Sequence, residues 1–390
     1  MPDLTELSRL SGNWNYPTSI RFGAGRISEL AEVCAQLNIS NPLLVTDKGL
    51  AELPFVQTLL QQAPYPKLFC DVKPNPSGSN IDAGVTAYRQ GGHDGIIALG
   101  GGSGLDAGKA IALMVGQTRP LWDFEDVGDN WQRVDEQGVA PIIAIPTTSG
   151  TGSEVGRASV IVDEQQRNKK IIFHPKMLPQ VVIADPALTA GLPAHITAAT
   201  GLDAFVHNLE AFCAPGYHPM AEGIALEGMR LIKQWLPTAV ADGNNLVARS
   251  HMMIASTMGA TAFQKGLGGV HALAHPLGAI FDAHHGLLNA ILLPYVLIRN
   301  RAAIDDKISE IAHHLRLDDA TFDGFMHWLA DFTTQLKIPT TLSEIGIEAE
   351  QAVQIGEQAV LDPSSGGNPI ALNAADYAAI FVSAVKGKTS

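Results

Sequence analysis

Ile96-Ile97-Ala98-Leu99-Gly100-Gly101-Gly102-Ser103 is the stretch on which the fold turns: a continuous apolar run enters glycines, and an alanine-rich helical pattern follows over residues 105–115. An apolar run with no polar face predicts a strand covered on both sides, as in a parallel sheet. The order strand, glycines, helix predicts a turn where free backbone N–H groups and the positive end of a helix meet, a fitting seat for a phosphate. The Walker pattern fails here, because Ser103 takes the first glycine position ahead of Gly108-Lys109 and Ala110 replaces the magnesium-binding Ser or Thr. The G-x-G-x-x-A form fits Gly102, Gly104 and Ala107, but no strand ending in an acid follows. On this loop alone, a phosphate site and a plain tight turn both remain open.

Outward from it, strand-like runs at residues 19–23, 43–46, 68–71, 96–99, 142–145, 160–162 and 181–184 alternate with helical patterns such as 27–37 and 81–90. That alternation predicts a largely parallel sheet with crossover helices. A second small-residue stretch, Pro146-Thr147-Thr148-Ser149-Gly150-Thr151-Gly152-Ser153-Glu154, also follows a buried run. Both loops would lie at the carboxyl edge of the sheet, where dinucleotides bind. Asp47, just after the run 43–46, is placed to accept bonds from an adenosine ribose, which favours NAD over NADP; helix capping is its equal alternative. After Pro186 only helical patterns appear, at about 194–213, 219–236, 245–263, 268–281, 286–300, 302–315, 320–336, 348–360 and 373–386. The expectation is a Rossmann-like α/β dinucleotide-binding domain over residues 1–190 and an all-helical, metal-binding and catalytic domain over 191–390, joined by the short turn 186–193.

Composition agrees with an enzyme acting on small molecules. Of 390 residues 46% are hydrophobic and 17% charged, with 38 glycines, which describes a well-packed globular chain. A net charge of -13 without a basic block argues against nucleic acid or an anionic membrane as partner. Cys34, Cys70 and Cys213 form no CxxC pair and point to a reducing compartment. Residues 1–15 lack the charged-then-apolar order of a signal peptide, and the apolar run 290–298 contains Pro294 and is shorter than the roughly 20 residues a membrane span needs. A cytoplasmic location is expected.

Eight of the 13 histidines lie between His195 and His285. Asp203 and His207 stand one helical turn apart in an otherwise apolar stretch; His271 and His275 repeat the spacing, and His284-His285-Gly286 opens a helix. One histidine on an apolar helix is ordinarily a hydrogen-bonded core residue. Two such pairs in uncharged sequence instead predict a divalent metal site, since burying them without a partner or metal costs several kcal/mol. An Asp with imidazoles, and no thiolate, suits iron(II) or zinc. Spacing does not choose the ligands among His271, His275, His284 and His285.

These segments together resemble the iron-dependent, or group III, alcohol dehydrogenases over nearly the whole chain. The resemblance rests on Gly100-Gly-Gly-Ser-Gly-Leu-Asp-Ala-Gly-Lys109, on residues 146–154, on Gly201-Leu-Asp-Ala-Phe-Val-His207, and on Gly269-Val-His-Ala-Leu-Ala-His-Pro-Leu-Gly278 through His285-Gly286 to Asn289-Ala290 and Leu293-Pro294. Val45-Thr46-Asp47-Lys48 and Pro74-Asn75-Pro76 look like the family's adenosine-side segments. The resemblance implies a dehydroquinate synthase-like fold and a metal held by Asp203, His207, His271 and His285. It also puts His275 beside the nicotinamide, where it is the candidate proton relay. Cofactor contacts would be Asp47 at the ribose, Gly101, Gly102 and Ser103 at the pyrophosphate, Thr147 and Thr148 along the cofactor, and Lys169. Gly104 stands where the family usually has Pro, and Gly156 where it usually has Thr.

The activity implied is hydride transfer between a small alcohol or diol and NAD, with NADP as the alternative cofactor and zinc as the alternative to iron. The metal would polarise the alcohol or aldehyde oxygen. A dimer or larger homo-oligomer is implied as well. The rival readings are a zinc-dependent glycerol or polyol dehydrogenase, a dehydroquinate-synthase-like enzyme, and a catalytically silent nucleotide-binding protein.

Overall fold

In the computed structural model, which describes residues 18–62, 64–166 and 168–388, the strands are β1 (Ser19–Phe22), β2 (Pro42–Val45), β3 (Lys67–Phe69), β4 (Gly95–Gly100), β5 (Ile142–Pro146), β6 (Ala158–Asp163), β7 (Asn168–Phe173) and β8 (Val181–Ala184). Contacts separate one unit ending at Ala190 from a second beginning at Gly191. Six strands of the first unit form a wholly parallel sheet in the order β1-β8-β5-β4-β2-β3. Its four inner strands are buried along their whole length, which is why they read as unbroken Ile/Val/Leu/Ala runs. Helices α1 (Leu30–Gln36), α2 (Lys48–Ala51), α3 (Pro54–Leu60), α4 (Gly78–Gly91) and α5 (Gly102–Met114) connect them. Val33, Val56 and Leu59 pack with Leu44, Ile97, Leu99 and Ile143 in one core cluster.

Strand order reverses between β2 and β4: the chain continues from β2 outward to β3, then returns to β4 and proceeds the other way to β5 and β8. Such a switch point opens a crevice at the carboxyl ends of the strands. Asp47 follows β2, the glycine loop follows β4 and Thr147 follows β5, so three neighbouring strands deliver these residues to one edge.

The run 160–162 was expected among the strands of this sheet. It belongs instead to β6, which pairs antiparallel with β7 in a separate ribbon. The alternating burial of β6 is the signature of a strand with one covered face. β7 goes unnoticed in the sequence because Asn168-Lys169-Lys170 breaks its apolar pattern; folded, Lys170 lies 3.3 Å from Asp163 and 3.2 Å from Glu125.

The second unit is helical: α6 (Ala194–Cys213), α7 (Pro219–Ala241), α8 (Leu246–Ala262), α9 (Gly269–Phe281), α10 (His285–His314), α11 (Phe322–Gln335), α12 (Ala352–Leu361) and α13 (Ala374–Lys386). At its centre is α6, buried from Thr197 to Cys213 and packed against α7, α8 and α10. Two helices expected at 286–300 and 302–315 are one. The charged segment Arg299-Asn300-Arg301 interrupts the apolar period but not the backbone, because Arg299 pairs with Asp376, Arg301 with Asp323, and Asn300 is buried against Asn368. α7 likewise continues five residues beyond the expected end at 236, through Pro237. Among the described residues α10 alone has the length and apolarity to cross a membrane. Its apolar side chains, Leu288, Ile291, Leu292 and Ile308 among them, instead lie in the core of this unit.

Candidate active site

The metal-site candidates converge from three helices of the second unit. Asp203 and His207 share one face of α6, His271 lies in the first turn of α9, and His285 opens α10 behind the N-cap residue His284. Ligand atoms of Asp203, His207 and His271 all fall within 4.8 Å of one another, and all three residues are buried. Asp203 Oδ1 is 4.0 Å from His271 Nε2 and 3.7 Å from His285 Nε2. The rings of His207 and His271 stack at 4.6 Å between centroids. With 24% of its side chain exposed, His285 is the open side of the cluster. One carboxylate and three imidazoles converging in a buried spot fit a borderline divalent cation such as iron(II) or zinc.

Around them stand groups to which the sequence reading assigned no role. Glu210, one turn beyond His207 on the same face of α6, accepts a bond from His271 Nδ1 at 2.6 Å. Its second oxygen accepts from Val270 N at 2.8 Å. Burial alone would hold the His271 ring neutral, but the Glu210 charge and hydrogen bond, reinforced by Asp203, outweigh it and raise its pKa. Outer carboxylates of this kind fix a metal-binding ring's orientation and increase its basicity. Asn289, one turn beyond His285, points its amide nitrogen at Asp203 Oδ1 (2.7 Å), His271 Nε2 (3.1 Å) and His285 Nε2 (3.1 Å). The i+3 and i+4 spacings from His207 and His285 were the signals that would have found both residues.

His275 lies outside the close group of three. Its ring stacks on His285 at 5.3 Å, and its Nδ1 is 2.7 Å from Asp362 Oδ2. Burial alone would raise the Asp362 pKa, yet the His275 contact and bonds from Ser364 hold it below the ordinary carboxylate value. In the sequence, Asp362-Pro363 reads only as a helix break; no local pattern joins Asp362 to a histidine 87 residues away.

In the first unit every cofactor candidate but Lys169 lies at the carboxyl edge of the parallel sheet. Gly100 adopts φ +147°, which glycine tolerates and L side chains do not, and turns the chain from β4 into α5. A Cβ at Gly102 would lie 2.7 Å from Thr151 and one at Gly101 a tight 3.2 Å from Thr148, so the two loops approach each other closely at these glycines. Thr147 N donates to Gly100 O at 2.9 Å. Asp47 caps α2 by accepting from Leu50 N, which bears out its capping role without touching the ribose role. Asp106 and Lys109 lock the loops together: Asp106 accepts from Ser153 Oγ and Val160 N, while the buried Lys109 amine donates to Ser153 O and Ala158 O. Lys169 belongs to the β6–β7 ribbon, opposite Val162.

Two family models match the chain, iron-containing alcohol dehydrogenase over residues 17–186 and the C-terminal region of the Fe-containing alcohol dehydrogenase family over residues 197–385. The chain belongs to the iron-containing alcohol dehydrogenase family. As such it is an oxidoreductase acting on alcohols. It is 38% identical to a 4-hydroxybutyrate dehydrogenase of Cupriavidus necator, with 93% of this chain and 97% of that one aligned. The crystal structure of a 1,3-propanediol oxidoreductase superposes with a TM-score of 0.88 at 33% identity, covering 96% of this chain and all of that one. A sulfoacetaldehyde reductase from Bifidobacterium kashiwanohense, solved in complex with NAD+, superposes at 0.85 with 28% identity, covering 96% and 99%.

In this dehydrogenase the step from His285 into α10 depends on Gly286. A Cβ there would lie 2.6 Å from Ala199 O and 3.0 Å from Asp203 Cβ, so α10 would have to withdraw from α6. Gly286→Ala is expected to weaken metal binding about 10- to 100-fold, as loss of a positioning contact does, and to destabilise the fold by about 1–3 kcal/mol. Chelator competition and a thermal melt measure the two; unchanged metal affinity would mean that the α6–α10 approach is not what holds His285.

Proposed function

We propose that this chain is an NAD-dependent, iron(II)-loaded dehydrogenase of short primary alcohols that carry a second oxygen function at the far end, working equally as an aldehyde reductase. The observation that carries the reading is the buried convergence of Asp203, His207 and His271 with His285 Nε2 at its open side. Those four residues would hold the metal. Zinc fits the same donor set and is the alternative occupant.

When bound, the ion supplies Lewis-acid polarisation of the substrate oxygen, and the nicotinamide supplies or accepts hydride. The chain's own residues do the rest. Gly101, Gly102 and Ser103 offer backbone N–H groups at the start of α5 for the pyrophosphate. Asp47 uses one oxygen for its cap, so the other can accept from a ribose hydroxyl, which disfavours the 2'-phosphate of NADP. Thr147 and Thr148 would line the cofactor, and Lys169 would contribute a cation to it. Because Asp362 occupies Nδ1 of His275, Nε2 is the nitrogen that takes up or returns the proton of the alcohol.

The substrate class rests on relatives whose names specify 4-hydroxybutyrate and 1,3-propanediol, both short primary alcohols with a second oxygen group. We place the enzyme in the cytoplasm, in keeping with its three free cysteines, as a homodimer or larger assembly. The test is anaerobic purification with iron or zinc, then assay with NAD and NADP over a panel of alcohols and aldehydes. Metal-dependent NADH formation, highest with such bifunctional alcohols, is expected. Full activity after metal removal would overturn the central reading, and equal rates on simple alcohols would overturn the substrate class.

A further inference from the structure

Helix α9 carries both His271 and His275, yet it has no capping side chain of its own. Its N-cap is Gly268, and the first N–H groups of a helix need acceptors when buried. Those acceptors come from remote residues. Asn368 Oδ1 accepts from Gly269 N at 3.0 Å, and Glu210 Oε1 accepts from Val270 N at 2.8 Å. The Asn368 amide is locked: its oxygen also accepts from Asn300 Nδ2 at 2.8 Å, and its nitrogen donates to Asn300 Oδ1 and Ile370 O, each at 2.9 Å. The approach requires small residues, since a Cβ at Gly268 would be 3.2 Å from Asn368 Oδ1 and one at Gly367 would be 2.1 Å from Leu267 O.

Asn368 closes a short turn, Pro363–Gly367, that begins at Asp362. Asp362 Oδ1 accepts from Ser364 N at 2.8 Å and Oδ2 contacts His275 Nδ1 at 2.7 Å. Tyr377 Oη, from α13, donates to Ser365 Oγ in the middle of the turn. One turn therefore grips α9 at two points, its first N–H and the ring of His275, with His271 between them.

We infer that the Asp362–Asn368 turn is a single positioning device for α9, with Asn368 as its anchoring residue, so that metal retention at His271 and the setting of His275 are adjusted together. Asn368 touches neither ring, and its influence runs through the helix start. The inference rests on the proposed role of His271 as a ligand. His271→Ala tests that role separately: loss of metal in that variant supports it, whereas retained metal overturns the ligand assignment and with it the coupling to metal retention, even if the His275 resonance still responds to Asn368.

The experiment uses zinc-loaded full-length protein and two readouts that do not depend on turnover: the zinc Kd by chelator competition, and the downfield proton resonance of His275 Nδ1–H, assigned by its loss in His275→Gln. Asn368→Leu removes the acceptor for Gly269 at similar size, and is expected to weaken zinc about 10- to 100-fold and to shift or broaden the His275 resonance. Asn368→Asp keeps the acceptor oxygen for Gly269 but loses the donor to Asn300 Oδ1 and Ile370 O and buries a charge, so it is expected to recover both readouts only in part, to values clearly better than those of Asn368→Leu. Asn300→Ala breaks the amide pair but leaves the Gly269 acceptor, and is expected to change zinc affinity by less than about threefold, well under the loss of a positioning contact. An unchanged Kd in Asn368→Leu, or equal losses in Asn368→Asp or Asn300→Ala, would overturn the device. Should Asn368→Leu fail to fold, the Asn300→Ala arm still decides, because general loss of packing predicts that it weakens zinc well beyond about threefold.

Discussion

Asp203→Asn, expressed with iron and purified anaerobically, is expected to emerge with little or no bound metal and with kcat/KM lowered about a thousandfold or more, the scale of losing several kcal/mol of charge stabilisation at the reacting oxygen. Asp203 is the one carboxylate of the proposed ligand set, and only 1% of it is exposed. A dication in so dry a place needs an anionic partner more than a further neutral ring. Asparagine has nearly the same shape and leaves α6 intact, so the fold should survive and the loss can be read as chemistry. Metal per chain after gel filtration, measured beside steady-state rates, is the check. His284→Ala is the companion control: His284 caps α10 through Leu287 N, and its loss should leave the metal in place. An Asp203→Asn enzyme with full metal content and full rate would remove Asp203 from the ligand set.

His275→Ala is expected to separate from it cleanly. The metal should remain, because His275 is paired with Asp362, whereas His271 and His285 are the rings whose Nε2 atoms lie 4.0 and 3.7 Å from Asp203 Oδ1; kcat should fall about 100- to 1,000-fold, the usual worth of a positioned proton-transfer group. Metal content with kcat measured across pH tells ligand from relay. Loss of metal in this variant would make His275 a ligand, and unchanged turnover at every pH would end its role in proton transfer. Asp362, left without the His275 ring it contacts, is then a buried charge lacking its partner, so some loss of stability should accompany the loss of rate.

Much of this was legible before folding. Parallel-sheet strands declare themselves because burial on both faces removes every polar residue from β2, β4, β5 and β8. The second unit reads as helical because its apolar period is 3.6. Reading failed where a local pattern was interrupted without the backbone being so: at Arg299-Asn300-Arg301, whose polar groups find partners on α11, α13 and the loop at Asn368, and at Asn168-Lys169-Lys170, where β7 pairs in a two-stranded ribbon.

Spacing by itself pointed to the chemistry proposed for these residues. Asp203 with His207 and His271 with His275 sit at i, i+4 because that is one helical turn, and the glycines after β4 announce a close backbone approach. Such periods are local and survive in a bare sequence. Which imidazoles face Asp203, and which one faces Asp362, is a matter of how α6, α9 and α10 cross, and no local period records it. Glu210 behind His271, Asp362 behind His275 and Asn368 at the start of α9 come from 61, 87 and 99 residues away. Burial in a dry interior obliges each of those polar groups to find a partner, and only the packed helices bring the partners within reach.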